Sequence, residues 1–593
     1  LPKRYVQYPM RTSSKGVDSV NFKKIISVSA AASVSMLILG SFSGAAVNEY
    51  SPAALKHLNN AVLGKEKADK ADDVNDDGAV DSFDICLLRK MANSSTGESV
   101  TKNYAATDSN VKLMGRNLIK DDTTWLVQSG SAAEFTVTGS CLEITLAGDS
   151  SIENDADHRS RYAIVLNGEV IIDSVMSQPE ETITVFKSDS QKTAKVKVIH
   201  LSEAMNGAVG IKNISVTSSA ACPIIPEPEK ELSIEFIGDS ITCAYGVEGK
   251  SSSESFKTTT ENFMKSYAYL TAKKLNADYS AVCYSGHGII SGYTSGDKNT
   301  DSLIPDCYSL VSKLKDYSTE WDFTKRSNDV VVINLGTNDS SYIGSDLEGK
   351  GSEFIEGYIE FLKTVRGKNP DAYIICTLGT MGDDIYPLVE QAAQNYSSET
   401  GDKRITSYRA AVQNQADGIG SDWHPSEITQ QNSAYVLADK ICQALGMESD
   451  QIGLDVAADA EYLLDIDPDK GGNAAHYVGY DKSFWINMVT GGESPDAITA
   501  VLSGISLKSG GKYRLEFDCT SAAERIMPVE IRSRSDKSIV LFSDDVEAGS
   551  EKFHYSKELT IDQNCSDAEI AFALGGNDYY NVTLSNIKLV KIG

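Results

Sequence analysis

Three short segments of the chain carry side chains that together suit acyl transfer. Gly238-Asp239-Ser240 follows an alternating apolar run, Gly336-Thr337-Asn338-Asp339 comes later, and Asp422-Trp423-His424-Pro425 comes last. Ester hydrolysis by a serine needs a nucleophilic hydroxyl, a base that accepts its proton, and N–H donors directed at the developing oxyanion. Ser240 is therefore the candidate nucleophile and His424 the candidate base.

The oxyanion donors are expected at three positions. The side-chain amide of Asn338 offers one N–H, and the backbone offers two more, at Ser240 itself and at Gly286. Asp339 is expected to fix the neighbouring loop by hydrogen bonds rather than to take part in the chemistry. Because serine attack on an ester needs no metal, and clustered His or Cys ligands are missing from the sequence, we expect no cofactor for catalysis.

These segments need a fold that brings strand ends together. Between residues 232 and 448, strand-like runs alternate with helix-like runs, which predicts an α/β/α domain with a doubly wound parallel sheet. Ser240 and Asn338 then lie at the carboxyl edge of the sheet, and His424 lies at a helix start. The predicted strands are near 233–238, 279–284, 329–335 and 372–378, and the predicted helices are near 263–275, 351–367, 385–397 and 428–445.

The segments on either side of this domain have a different pattern. Residues 111–222 and 452–593 contain short strand-like runs separated by Gly and Asn/Asp turns, which predicts two β-sandwich (jelly-roll) domains. The polar stretch 96–110 is predicted to be a linker, and the Pro-rich stretch 223–231 is predicted to be a hinge.

The charge and the N-terminal sequence indicate where the protein acts. A net charge of −28 argues against nucleic acid and anionic membranes as partners. Lys23-Lys24 precede the apolar stretch 25–39, and small residues follow, so 1–46 is predicted to be a signal peptide and the mature chain to be extracellular. A membrane anchor is the alternative, but the apolar run is shorter than the roughly 20 residues that a span needs.

An acidic loop in the predicted module 47–95 has calcium-ligand spacing. Oxygen side chains occupy loop positions 1, 3, 5, 9 and 12, glycine occupies position 6, and a helix-like run follows. One twelve-residue loop wraps a Ca²⁺ ion with this spacing, which we therefore predict here. The predicted ligands are Asp73, Asn75, Asp77, Asp81 and Asp84.

These motifs resemble known families. Ser240, Gly286, Asn338 and His424 match the four blocks of the SGNH (GDSL-type) hydrolases. With the preceding sandwich, 111–446 resembles carbohydrate esterase family 2, which implies deacetylation of plant cell-wall polysaccharide such as acetylated xylan. The calcium loop and its helix resemble a dockerin, which implies a cohesin of a scaffoldin as partner and attachment to a cellulosome. Residues 452–593 resemble carbohydrate-binding modules of families 4 and 9.

The group that orients His424 has two alternatives. Many SGNH enzymes place an aspartate three residues before the histidine, but Ser421 occupies that position and Asp422 is one residue closer. The resemblance implies a Ser–His dyad whose imidazole is oriented by a backbone carbonyl, that of Asp422. A full triad through the Asp422 carboxylate is the other alternative.

The aromatic candidates also have two interpretations each. Trp423 is either a packing residue or a platform for a sugar ring beside the base. In the C-terminal domain, Trp485, Tyr579 and Tyr580 are candidates for carbohydrate binding, or else core residues. The leading hypothesis is a secreted O-acetyl esterase. The alternatives are another SGNH esterase or lipase, and a catalytically silent carbohydrate-binding component.

Overall fold

The structure, a computed structural model, describes residues 52–68, 72–73, 79–80, 84–85, 88, 95–479, 481–576 and 580–593. The predicted signal peptide and the predicted ligands Asn75, Asp77 and Asp81 lie outside the described residues, as does Tyr579. No helix in the described ranges combines the length and apolar character needed to cross a membrane.

The N-terminal region contributes a short helix, α1 (Pro52–Val62). Its Leu58 is buried in one apolar cluster with Ile85, Leu88 and Ile225. Of the predicted calcium ligands, only the first and the last, Asp73 and Asp84, belong to the described residues. The calcium loop therefore stays a prediction.

The next domain is a ten-stranded antiparallel sheet that curls around its own core. One continuous sheet replaces the two packed sheets that we predicted. The reason lies in strands β5 and β8, which are 17 and 21 residues long and contain register shifts, because a bulged strand bends. The strands are β1 (Ser95–Tyr104), β2 (Lys112–Met114), β3 (Asn117–Lys120), β4 (Thr123–Leu126), β5 (Ala132–Gly148), β6 (Arg161–Leu166), β7 (Glu169–Val175), β8 (Glu180–His200), β9 (Val209–Ala220) and β10 (Ile224–Pro226).

Two predicted connections are part of this sheet instead. The predicted linker 96–110 contains most of β1, which pairs with β9, and the predicted hinge 223–231 contains β10, which pairs with β5. The polar sequence of β1 does not predict a strand. Val100 and its neighbours are exposed on a sheet edge, so this strand needs no alternation of apolar and polar residues.

The central domain is a three-layer α/β/α arrangement. Its five strands are all parallel, in the order β12-β11-β13-β14-β15. Helices α3 and α8 pack on one face of the sheet, and α6 and α7 pack on the other. The strands are β11 (Ser233–Gly238), β12 (Asp278–Cys283), β13 (Val330–Asn334), β14 (Tyr373–Leu378) and β15 (Ile405–Arg409). The helices are α2 (Ser240–Cys243), α3 (Tyr267–Lys274), α4 (Ile304–Cys307), α5 (Thr337–Ile343), α6 (Gly349–Lys368), α7 (Tyr386–Thr400) and α8 (Glu427–Leu445).

The C-terminal domain is a sandwich of two five-stranded antiparallel sheets that share one apolar core. The sheet orders are β16-β19-β24-β21-β22 and β17-β18-β25-β20-β23. The strands are β16 (Glu461–Ile466), β17 (Gly472–Val478), β18 (Phe484–Gly491), β19 (Ile498–Leu507), β20 (Lys512–Ser521), β21 (Arg525–Ser533), β22 (Val540–Ala548), β23 (Phe553–Thr560), β24 (Cys565–Ala573) and β25 (Val582–Lys591).

Buried ion pairs join the curled-sheet domain to the central domain. Arg116, which is fully buried, donates to Glu235 Oε1 at 3.2 Å and to the carbonyl of Leu310 at 2.5 Å. Lys112 donates to Asp278 at 2.8 Å. Because each of these charges loses its solvation on burial, their partners across the boundary are essential, and the two domains form one folding unit.

We expect Arg116→Ala to destabilise this unit by about 3 kcal/mol, because Glu235 is left as a buried carboxylate without its cation. The denaturant midpoint of unfolding, followed by tryptophan fluorescence, measures the effect. Arg404→Ala is the control, since Arg404 is half-exposed and pairs with the exposed Asp371; it should shift the midpoint little. Equal shifts of the denaturant midpoint in the two variants would show that the buried ion pair between Arg116 and Glu235 does not stabilise the contact between the domains.

Candidate active site

Ser240 lies on a sharp strand-to-helix turn. Strand β11 ends at Gly238, and Ser240 is the first residue of α2, with the Asp239 carboxylate capping the N–H of Ile241 at 3.0 Å. Gly238 is required here, because a Cβ at this position would lie 2.0 Å from the hydroxyl of Thr242. The turn thus places the Ser240 hydroxyl at the carboxyl edge of the parallel sheet, as the sequence predicts.

His424 contacts Ser240 directly. Its Nε2 is 2.9 Å from Ser240 Oγ, while its Nδ1 is 3.1 Å from the carbonyl oxygen of Asp422 and 3.3 Å from that of Ser421. Two carbonyl acceptors assign the proton to Nδ1, so Nε2 is free to accept the proton of the Ser240 hydroxyl. This geometry corresponds to the dyad alternative.

The carboxylate of Asp422 has other partners. Its Oδ2 accepts from the hydroxyl of Tyr245 at 3.0 Å and from the N–H of Phe256 at 3.0 Å. Asp422 and Trp423 both have positive φ, 49° and 64°. Such left-handed backbone is costly for these residues, and the two hydrogen bonds hold the turn that aims the Asp422 carbonyl at the imidazole.

The imidazole lies in an apolar setting. The ring of Tyr245 covers it at 4.2 Å between centroids, and Tyr245 itself stacks on Phe256 at 4.3 Å. Burial lowers the pKa of His424, and the carbonyls of Asp422 and Ser421 offset part of that effect. The imidazole is therefore neutral at physiological pH, which is the form that a general base needs.

The predicted oxyanion donors lie around the nucleophile. Within the described part of the chain, the backbone N–H groups of Ser240 and Gly286 have no hydrogen-bond acceptor. Gly286 has φ 75°, and a Cβ there would meet no atom within 4 Å, so the residue borders open space. The amide of Asn338 donates to the carbonyl of His287 at 2.8 Å and makes only a long contact, 3.4 Å, to Asp239.

Asp339 anchors the loop that carries Gly286. Its carboxylate accepts the N–H groups of Ile289, Ile290 and Ser291 at 3.0, 2.8 and 3.0 Å. Burial raises its pKa to about 6 even though these donors lower it. Asp339 thus acts through the loop, as predicted.

The remaining predicted residues are distributed over two surfaces. Trp423 is 59% exposed and directly precedes the base, which favours the platform over the packing interpretation. Trp485 is 49% exposed on β18, opposite the 59% exposed Tyr477 of β17, and Tyr580 is 41% exposed. No sequence motif marks Tyr245 and Phe256, which contact the active site only through tertiary structure, and none marks Tyr477, whose exposure depends on the pairing of β17 with β18.

We expect Asp422→Asn to keep kcat within about fivefold of wild type, because the asparagine oxygen can accept both hydrogen bonds and each is worth about 1 kcal/mol. Asp422→Ala should keep it within about tenfold. Steady-state hydrolysis of 4-nitrophenyl acetate measures both. A loss near 10⁴-fold for Asp422→Asn would instead indicate a full triad.

Two families match consecutive parts of the chain. Residues 113–226 match the carbohydrate esterase 2 N-terminal family, and residues 236–432 match the GDSL-like lipase/acylhydrolase family. The first covers most of the curled-sheet domain, and the second covers the central domain from β11 into α8. The two matches follow one another along the chain and leave only residues 227–235 between them.

Curated proteins are also similar to parts of this chain. The cellulase/esterase CelE of Acetivibrio thermocellus is 39% identical over 225 residues, which are 37% of this chain and 26% of that protein. An acetylxylan esterase/glucomannan deacetylase of Cellvibrio japonicus is 28% identical over 349 residues, 58% of this chain and 90% of that protein. The match thus spans about a quarter of CelE and most of the Cellvibrio enzyme.

Solved structures share the fold. A family two carbohydrate esterase from Clostridium thermocellum, in complex with cellohexaose, is 29% identical with a TM-score of 0.50; the match covers 57% of this chain and 99% of that one. The acetyl xylan esterase Est2A from Butyrivibrio proteoclasticus is 24% identical with a TM-score of 0.53, over 59% of this chain and 99% of that one, and shows the fold alone.

Proposed function

We propose that this chain, a carboxylic ester hydrolase whose residues 113–432 are of the carbohydrate esterase family 2 type, removes O-acetyl groups from plant cell-wall polysaccharide such as xylan or a related hemicellulose. The observation that carries the proposal is the contact of 2.9 Å between His424 Nε2 and Ser240 Oγ, beside two backbone N–H groups without acceptors in the described chain.

In the proposed mechanism, His424 Nε2 takes the proton of Ser240 as Oγ attacks the acetyl carbonyl carbon. The N–H groups of Ser240 and Gly286 and the amide of Asn338 stabilise the oxyanion. The imidazolium keeps its Nδ1 hydrogen bonds to the carbonyls of Asp422 and Ser421 and donates the Nε2 proton to the departing sugar oxygen. Water, activated by the same Nε2, then hydrolyses the acetyl-enzyme. These steps need no cofactor.

Trp423 supports a sugar substrate. Its exposed indole follows Asp422 and precedes the base, so a sugar ring stacked on it would lie next to the nucleophile. The Clostridium thermocellum structure contains cellohexaose, and the Cellvibrio japonicus relative is named for xylan and glucomannan substrates. A lipase is the less favoured alternative, because the acidic chain offers little to an anionic lipid surface.

Acetate release tests the proposal. Acetylated xylan, acetylated glucomannan and a long-chain 4-nitrophenyl ester are compared as substrates, with Ser240→Ala as the blank. We expect acetate from at least one polysaccharide and little turnover of the long-chain ester. Preference for the long-chain ester would indicate a lipase, and no release from any substrate would indicate a silent binding component.

We also propose that residues 1–46 direct secretion and that residues 47–95 form a calcium-binding dockerin that docks a cohesin in a cellulosome. The all-oxygen ligand set supports Ca²⁺, and among its members Asp84 is fully buried at the start of its helical turn. Cohesin binding measured with and without a chelator tests this, since the dockerin interpretation requires that the chelator abolish binding.

For the C-terminal sandwich we propose a glycan-binding face built on Tyr477 and Trp485. These residues pair across β17 and β18, and both are exposed, while the alternate residues Phe484 and Ile486 enter the core. Each stacking ring is worth about 1 kcal/mol, so Trp485→Ala should weaken retention on insoluble xylan or cellulose about fivefold. Ile526→Ala, on the other sheet, is the exposed apolar control; equal retention of all variants would refute the proposal.

A further inference from the structure

We propose that Glu203, a residue of the curled-sheet domain, is a positioning residue for the oxyanion hole in the central domain, an inference that rests on the proposed esterase function. Glu203 Oε2 accepts the backbone N–H of Ser285 at 2.8 Å and lies 4.0 Å from the thiol of Cys243. Ser285 immediately precedes Gly286, and Cys243 belongs to α2, whose first residue is Ser240. One carboxylate oxygen therefore contacts both segments that carry the backbone oxyanion donors.

Glu203 is itself held from two directions. It comes three residues after the end of β8 and caps a one-turn 3₁₀ helix, Ala204–Asn206. Its own N–H donates to Glu261 Oε2 at 3.0 Å, and Arg161 of β6 donates to the Glu261 carbonyl at 2.9 Å. Glu203 is 4% exposed and Glu261 is fully buried. The backbone of Glu203 is thus fixed at the boundary between the two domains, and its buried side chain extends from there.

The Glu203 contact complements the anchor at Asp339. Asp339 holds residues 289–291, and Glu203 holds Ser285, so the loop is fixed on both sides of Gly286. Between these anchors Gly286 has a left-handed φ of 75° and borders open space, and its N–H has no acceptor among the described residues. Without the bond to Glu203 the peptide between Tyr284 and Ser285 loses its fixed orientation. The Gly286 N–H lies one peptide further along, so its alignment is weakened although His287 still holds the Ser285 carbonyl.

Packing alone does not account for a carboxylate here. Burial raises the pKa of Glu203, and burial together with Glu203 raises the pKa of Glu261 well above its ordinary range. Two buried carboxyl groups side by side are unfavourable for folding, and an apolar residue of the same size would avoid that cost. Buried carboxyl groups with raised pKa values concentrate at functional sites. Here the function that we infer for Glu203 is to hold the backbone N–H of Ser285.

Glu203→Met and Glu203→Gln test the proposal. Met fills the same space without an acceptor, whereas Gln keeps a neutral acceptor for the Ser285 N–H. Because deleting an oxyanion donor costs about 10²–10³ in kcat, misaligning one should lower kcat of Glu203→Met about 10–100-fold with KM for 4-nitrophenyl acetate little changed. Affinity for an arylboronic acid, which forms a tetrahedral adduct with the serine, should fall in parallel. Glu203→Gln should remain within about fivefold of wild type, since it keeps the hydrogen bond.

Controls separate positioning from stability. The denaturant midpoint of Glu203→Met should equal or exceed that of wild type, because a buried charge is removed. Glu134→Gln is the matched control, a buried carboxylate of the same domain that pairs with Lys112 and Lys197; its kcat should not change. An unchanged kcat in Glu203→Met would overturn the proposal. It would also be overturned if both variants lost kcat and had a lower denaturant midpoint, because Gln keeps the acceptor and should preserve kcat. An inactive wild type would instead refute the esterase function.

Discussion

Ser240→Ala and His424→Ala are each expected to lower kcat by about 10⁴-fold or more, because each removes one half of a unit that transfers a proton and attacks the ester. Nε2 lies 2.9 Å from Oγ, so the proton can pass directly between these two side chains. Hydrolysis of 4-nitrophenyl acetate measures the loss, and intact-protein mass after rapid acid quench measures the acetyl-enzyme, which should be missing in both variants.

The double variant distinguishes a dyad from two independent contributions. If Ser240 and His424 act as a unit, the double variant is as inactive as either single variant, and the losses do not add. His554→Ala is the control, because His554 lies on the C-terminal sandwich and pairs with Asp518 there. Activity of Ser240→Ala above about 1% of wild type would point to another nucleophile and contradict this assignment.

The sequence could predict the chemical residues because acyl transfer restricts their types and because the parallel sheet places them at strand ends. Ser240, Asn338 and His424 each lie next to a strand or helix whose apolar pattern is clear. The residues that contact the surrounding loops, Tyr245, Phe256 and Glu203, carry no such signal. Tyr245 and Asp422 are 177 residues apart in sequence, and only the folded chain brings them together.

The dependence on tertiary contacts also explains the errors in the predicted fold. The alternation that identifies a strand requires one buried and one exposed face. Strand β1 has exposed residues along most of its described length, so its sequence resembled a linker. The strands of the first domain were recognisable individually, but their joining into one curled sheet depends on bulges in β5 and β8, which periodicity does not reveal.

The joint between the two domains brings residues of the curled-sheet domain into contact with loops of the candidate active site. Arg116 and Lys112 fasten it beneath the parallel sheet, and Arg161 reaches the loop that begins at Gly246 through Glu248 at 2.8 Å. That same loop supplies Phe256, which holds the Asp422 carboxylate. The first domain thus contacts both the loop of Phe256 and the loop of Gly286, so we expect the central domain expressed alone to lack part of the support of its candidate active site.

Asn338→Ala is expected to lower kcat by about 10²–10³-fold, the usual cost of one oxyanion donor, with little change in KM. The amide lies at the start of α5, and its second N–H makes only the long contact of 3.4 Å to Asp239, so it can turn to the oxyanion when the tetrahedral intermediate forms. Steady-state kinetics on 4-nitrophenyl acetate and affinity for an arylboronic acid should show the same loss.

Asn338 also holds the carbonyl of His287, so the variant needs a test that separates the two roles. Loss of the bond to the His287 carbonyl would leave a buried acceptor unpaired and lower the denaturant midpoint, whereas a lost oxyanion donor lowers kcat and boronic acid affinity with the midpoint unchanged. Asn395→Ala, on the exposed face of α7, is the control for the substitution itself. A change in kcat below about threefold would show that the two backbone N–H groups suffice and that Asn338 serves only the loop.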